Sequence, residues 1–509
     1  ARELQRNNSE PSPTYELLCD AIKELKALDI RLRYRRLYLS SFDEFSFGGW
    51  REKEKEKTEE IREIYKKYGI DGVVDMAGKI EASGKVIRIA AGSRYDIARK
   101  AGMCIPKEDL AAILANCYSG DLDVDFVINI LDGFVMIHGI SALPAAELER
   151  YPGEFAARLL AHLPFSAELF HMVEQLLPGQ EALYWQSAAV PYIYSETDPY
   201  ELKAAVGKLM EYERYAAVVN LLGRSVAEYS ADWLICKGIE EETLYRALIM
   251  AGTTESSADT LDSYAAKNLI KKLQQRDEPE REQLELLSQI EFIYLPWLDE
   301  CTLEHTRALY VKLANDPDSF CRIIEVYYRR RHEKEAGAEE QKKQRVQKQL
   351  PPNISRRLSQ IILRFAVIPG TDWNGNFHED VFESWMEYVK AWSRENDRYE
   401  AATSIVGSGL SYFRTSTCEG LLPDELIMRT LDAADGVYLR RGYESGIVNQ
   451  RGAYWVDPSG EPERRLAATY ERMADQAEAL GYSRYAETLR QVAETYEKEA
   501  GVCLNQKEC

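Results

Sequence analysis

Apolar residues recur at three- and four-residue intervals along almost the whole chain, the spacing of amphipathic helices. Leu17, Leu18, Ile22, Leu25 and Leu28 predict a first helix, and Phe45-Ser46-Phe47-Gly48-Gly49-Trp50 then breaks the pattern. A charged helix is predicted from Arg51 to Gly69, with Ile61, Ile64 and Tyr65 on one stripe and the glycine as its C-cap. Residues 70–84 read as its partner, with Val73, Val74, Met76, Ala77 and Ile80 apolar. From there one theme repeats: a helix of roughly 12–18 residues, a glycine or polar turn, then another helix. It covers 107–119, 147–162, 167–177, 200–210, 213–222, 241–251, 264–275, 280–292 and 303–313. Asp316-Pro317-Asp318-Ser319 is a helix-start signal for 320–328. Alternation at period two is almost absent, so little strand is expected.

Residues 201–224 carry Leu202, Ala205, Val206 and Leu209, then Tyr215, Ala216, Val219 and Leu222. Small and aromatic positions at that spacing let two antiparallel helices pack closely, as in tetratricopeptide-like repeats. The full 34-residue signature does not recur. The expected fold is all-α: an irregular TPR- or HEAT-like solenoid of helix pairs, with a plain multi-helix globule as the alternative. Four segments are expected: an N-terminal helical part (1–140), a repeat-like array (141–328), a charged linker (329–352) and a C-terminal helical module (353–509).

The linker holds Arg329, Arg330, Arg331, Lys334, Lys342, Lys343, Arg345 and Lys348 against four glutamates, and runs into Leu350-Pro351-Pro352. With few apolar residues it reads as a solvated loop. A basic patch for nucleic acid or an acidic partner is the alternative, but no aromatic side chains interleave its core to stack on bases.

In the last segment Pro369-Gly370-Thr371-Asp372-Trp373-Asn374-Gly375-Asn376 leads into an amphipathic helix bearing Val381, Phe382, Trp385, Met386, Val389 and Trp392. The tryptophans read as core anchors. Residues 446–452 read as a glycine-bounded turn, and Asp457-Pro458-Ser459-Gly460 as another. Two final helices follow, with Leu466, Tyr470, Met473 and Ala477 on one and Tyr485, Leu489, Val492 and Tyr496 on the other. Joined at Gly481-Tyr482-Ser483, they predict an αα-hairpin.

Thr371-Asp372-Trp373-Asn374-Gly375, the 446–452 segment and Glu463-Arg464-Arg465 together resemble the carboxy-terminal module of large multi-domain bacterial proteins, some of them similar to components of phage-defence or toxin–antitoxin loci. Tyr184-Trp185 and the 201–224 pair resemble the helical array that precedes that module. The resemblance spans about 140–509. It implies a helical sensor or scaffold region whose effector lies at the other end of the protein, and it supplies no catalytic residue.

Composition narrows the choice. The chain's 509 residues are enough for about three domains at ~150 each. A net charge of −20 disfavours generic binding to nucleic acid or anionic membrane. No apolar run approaches the ~20 residues that span a bilayer, and no signal peptide is recognisable. Nine scattered cysteines without a C-x-x-C pair fit reduced thiols and a cytoplasmic location. The opening Ala1-Arg2-Glu3-Leu4, without methionine, raises the expectation of a piece of a longer protein.

Chemistry is sparse. There is no P-loop, H-E-x-x-H or G-x-S-x-G, and Gly407-Ser408-Gly409 lacks a third glycine and a leading strand. Cys301 and His305 have no second ligand pair nearby for zinc. The six histidines are dispersed. No catalytic, cofactor or metal residue is assigned. The polar constellation that stands out is Asp372, Asn374, Asn376 and His378 with Asn449 and Arg451; Arg451 could pair with Asp372 or bind an anion, or the set could hold loop backbones closed. The leading expectation is a non-catalytic interaction scaffold or sensor in phage defence, with a phage protein or another subunit as partner and a homo-oligomer open. The alternative is an oligomerisation or autoinhibitory part of a longer enzyme or DNA-binding regulator.

Overall fold

The computed structural model describes residues 47–84, 93–190, 198–226, 238–254, 259–275, 277–328, 350–413, 422–451 and 459–505, with Leu17, Asp20, Ala21, Leu234 and Asp457 besides. The described residues form 22 α-helices and no β-strand. The nearest approach to a sheet is one isolated bridge between Thr371 and Phe377. The chain divides into two compact units, Ala1–Leu221 and Leu222–Cys509.

The first unit contains α1 (Phe47–Gly84), α2 (Ser93–Gly102), α3 (Lys107–Ser119), α4 (Val124–His138), α5 (Ala145–Leu148), α6 (Gly153–Leu160), α7 (Ala167–Leu176), α8 (Ala182–Trp185) and α9 (Pro199–Glu211). The unit boundary falls within α10 (Tyr215–Val226). Helix α1 is interrupted where the sequence places a stop: Gly69 has φ 63° and ψ −161°, a left-handed conformation that glycine adopts without strain. Ile61, Ile64, Val73 and Met76 bury the apolar stripes on either side.

Residues 147–162 are not one helix: Pro152, N-cap of α6, cannot continue the preceding turn, and the chain breaks into α5 and α6. Conversely α4 is a helix that one-sided periodicity does not mark. Phe126, Val127, Ile128, Ile130, Leu131, Phe134 and Val135 are all buried, so its apolar surface is too wide for a stripe. Asp123 caps it by accepting from Phe126 N at 2.8 Å. Helices α2 and α4 cross at two glycines. A Cβ on Gly102 would stand 1.9 Å from Ile130 O, and one on Gly133 would stand 1.8 Å from Arg99 O. Any side chain at either position would force the backbones apart.

The second unit contains α11 (Glu241–Thr253), α12 (Ser263–Gln274), α13 (Arg281–Leu298), α14 (Arg307–Asn315), α15 (Pro317–Tyr327), α16 (Pro352–Leu363), α17 (Glu379–Glu395), α18 (Tyr399–Leu410), α19 (Glu425–Asp432), α20 (Val437–Gln450), α21 (Glu461–Ala479) and α22 (Ser483–Asn505). Helix α13 packs against α11, α12, α14 and α16. Asp316 caps α15 by accepting from Asp318 N, the start that Asp-Pro-Asp-Ser signals. The elements on either side of 329–349 share one core. Phe320 of α15 meets Phe365 and Trp385, with ring centroids 5.3 and 5.1 Å away. The Trp385 indole N–H donates to Leu313 O at 3.1 Å. Trp373 and Trp385 are buried, while Trp392 is half-buried. Helices α21 and α22 form the C-terminal hairpin through Gly481, with Tyr470 stacked on Tyr496 at 5.8 Å.

Candidate functional site

Asp372, Asn374, Asn376 and His378 do come together, in the loop between α16 and α17. The Asp372 carboxylate accepts from Asn374 N at 2.9 Å and Asn376 N at 2.8 Å on one oxygen. Its other oxygen accepts from Asn376 Nδ2 at 3.0 Å and stands 3.0 Å from His378 Nε2. A carboxylate accepts only, so this contact requires the proton on Nε2. Partial burial pushes the Asp372 carboxyl up, but His378 and the amides outweigh it and hold the group at about 2. The loop is tied to α14, because Asn315 Nδ2 donates to Thr371 O at 2.7 Å and Gly370 N donates to Ala314 O at 2.9 Å. Four donors fill the roughly four lone-pair directions of the carboxylate. The arrangement locks a loop; it leaves Asp372 little capacity for a further cation.

Asn449 and Arg451 are elsewhere in chemistry. Over the described part of 446–452 the expected turn is helix instead: Gly446 to Gln450 belong to α20, and Arg451 is its C-cap, while Gly452 lies outside the described residues. A Cβ on Gly446 would meet Ser411 Oγ at 2.4 Å, so the glycine serves close packing against α18's end and not a turn. Arg451 is not among the partners of Asp372. Its guanidinium pairs with fully buried Glu463 of α21, stands 3.5 Å from Glu499 Oε2 of α22, and lies over the Tyr496 ring. Burial raises the Glu463 carboxyl, and Arg451 with the helix-start amide brings it below the ordinary carboxylate value. Arg451 therefore clamps three helices. Asn449 is exposed. The basic run Arg329, Arg330, Arg331, Lys342, Lys343, Arg345 and Lys348 lies outside the described residues.

Three features escape sequence reasoning. Tyr118 at the end of α3, Tyr151 before α6 and Phe155 within α6 make a surface cluster. Their ring centroids are 4.8 Å (Tyr118–Tyr151), 5.2 Å (Tyr118–Phe155) and 5.3 Å (Tyr151–Phe155) apart. Tyr118 is 51% exposed. The Tyr151 hydroxyl donates to Glu147 at 2.8 Å; burial and that carboxylate push it up to about 12, so it stays a donor. Tyr151 and Phe155 are spaced four apart, but Tyr118 comes from α3, so no periodic pattern announces the three rings together.

The second is Glu291 of α13, which is fully buried. It caps α14 across space: Oε1 accepts from Ala308 N at 3.2 Å and from Gln274 Nε2 at 2.8 Å, and Oε2 accepts from Leu309 N at 2.6 Å. Thr306, the N-cap of α14, makes no side-chain cap bond, so Glu291 takes over that role. Burial outweighs these donors and pushes Glu291 up to about 7.

The third is Arg357 on α16, whose Nε is closed to solvent without an acceptor. Cys301 is buried and its thiol is pushed up to about 12 by that burial, which makes it a poor nucleophile. The exposed His305 engages Thr302 at 3.0 Å. Among the described residues no group of three or more His, Cys, Asp or Glu could hold a metal, and no helix is long and apolar enough to cross a membrane. Comparison with protein-family models, with curated proteins and with solved structures finds no match to this chain.

Proposed function

We propose that this chain is a non-catalytic protein-interaction scaffold, the sensor region of a larger bacterial protein of the phage-defence kind that its motifs resemble. The Tyr118–Tyr151–Phe155 cluster is the observation that carries the reading. Aromatic side chains held rigid by one another and open to solvent are what protein interfaces use as anchors, because they bury large area at little cost in side-chain entropy. Close-packed helices give such anchors a stiff platform. The chain's acidity favours a protein partner over nucleic acid.

The test uses the chain and its Tyr118→Ser, Phe155→Ser double variant as baits in bacterial lysates made before and after phage infection. The expected result is a protein retained by the parent chain and lost from the variant, with helical content unchanged by circular dichroism. A partner held equally by both would move the contact off this cluster. No protein retained by either bait would overturn the scaffold reading.

A further inference from the structure

A cavity of about 300 Å³ lies where α11, α13 and α16 meet in the second unit, and it is lined by Gly252, Leu261, Ile293, Tyr294, Trp297 and Arg357, among others. That volume is within the range of small-molecule sites. The lining is largely aromatic and aliphatic, with one cation. Arg357 is the exceptional residue. Its Nε is shut off from solvent and donates to nothing. No carboxylate pairs with it among the described residues; its guanidinium rests over the Phe292 ring, 5.8 Å from the centroid. Burial pushes this group below its ordinary value, with the neighbouring Tyr294 acting weakly in the other direction. The Tyr294 hydroxyl is already committed, donating to Leu248 O at 2.9 Å.

Only Nε is closed off; Arg357 as a whole is half-exposed, so an unpaired guanidinium at the edge of an apolar cavity keeps its terminal N–H groups available to an anion. Its donors form a fork that fits a carboxylate with two parallel hydrogen bonds. The apolar remainder of the cavity, with Trp297 and Ile293, fits a flat hydrocarbon body. We infer that the cavity at α11, α13 and α16 binds a small carboxylic acid with an aromatic or compact apolar body, the carboxylate on Arg357 and the body against Trp297 and Ile293. The cavity is lined by residues of the second unit alone and uses none of the aromatic cluster on the first.

The probe is 2-naphthoate, titrated calorimetrically into the full chain, with 2-naphthalenemethanol as its uncharged counterpart. One-site binding of the acid is expected, at least tenfold tighter than the alcohol, since charge-assisted pairs are the strong ones. Arg357→Met removes the charge at similar volume and should weaken the acid at least tenfold while leaving the alcohol unchanged. Trp297→Ala should weaken both. Arg357→Lys should fall between, keeping charge and losing the fork. Equal binding of acid and alcohol to the parent chain, binding of neither, or an Arg357→Met variant that binds the acid undiminished would each overturn the inference. If Arg357→Met loses its helical signal, the acid-to-alcohol ratio of the parent chain and the Arg357→Lys affinity decide.

Discussion

Replacing Glu291 by Gln should change the stability of α14 by an amount that depends on pH in a defined direction. Glu291 is fully buried, and its carboxyl is pushed from an ordinary 4.5 to about 7. A carboxyl with a raised folded value is protonated in the folded state while the unfolded chain ionises, so the folded state loses ground as pH climbs from about 4.5 through 7. Below that window both states are protonated and the group contributes no pH dependence. At ~1.4 kcal/mol per pH unit, the rise from 4.5 to about 7 amounts to roughly 3 kcal/mol. Gln does not titrate. At pH 4.5 the variant should be the weaker by about 1–3 kcal/mol, since its amide N–H₂ would face the Leu309 N–H now accepted at 2.6 Å. Between pH 4.5 and 8 the balance should then move by roughly 3 kcal/mol in favour of the variant. The readout is amide hydrogen exchange of peptides covering 303–316, corrected for intrinsic rate, in both proteins at pH 5, 6.5 and 8. A local measure is needed because a chain of two units need not unfold in one step. The protection ratio of variant to parent should rise by about 100-fold across the range. A ratio that stays constant, or falls, would refute the argument that burial outweighs the helix-start amides at this carboxylate.

Other substitutions probe the remaining features. Gly442→Ala should destabilise the second unit by about 3 kcal/mol in urea unfolding, because its Cβ would stand 1.9 Å from Ser404 O and push α18 and α20 apart. Gly207→Ala, at an exposed helical site with nothing within 4 Å, should instead stabilise by about 0.5–1 kcal/mol, seen as a raised melting temperature. Glu463→Gln should cost about 2–3 kcal/mol and expose the C-terminal hairpin to proteolysis, since Arg451 keeps Glu499 but has only a neutral acceptor in place of its buried carboxylate. Asp372→Ala should cost about 1–2 kcal/mol at pH 7 through four orphaned donors. Because Asp372 titrates at about 2, below its unfolded value, that difference should persist above pH 4 and fade only as pH drops towards 2.

What was legible in the sequence was local. The all-helical character, the break at Gly69, the Asp316-Pro317 start and the 461–505 hairpin rest on spacings and caps within one or two turns of chain. The Asp372–His378 loop was legible for the same reason, since its donors lie within six residues of the carboxylate. The periodic signal failed at α4, whose apolar surface is too wide to form a stripe, and at 147–162, where a proline overrode an apolar pattern. Arg451 illustrates the larger limit. Its residue type announced a partner, but Glu463 was chosen only when α20, α21 and α22 packed together. Glu291 read as one more acid on a charged helix; burial against the start of α14, 17 residues on, turned it into a cap and raised its proton affinity. The three surface rings and the lone Arg357 were likewise ordinary residues until separate helices brought them into place. Secondary structure follows from neighbours along the chain, whereas the partners and solvation of a charge follow from which helix faces meet, and only the tertiary structure decides that.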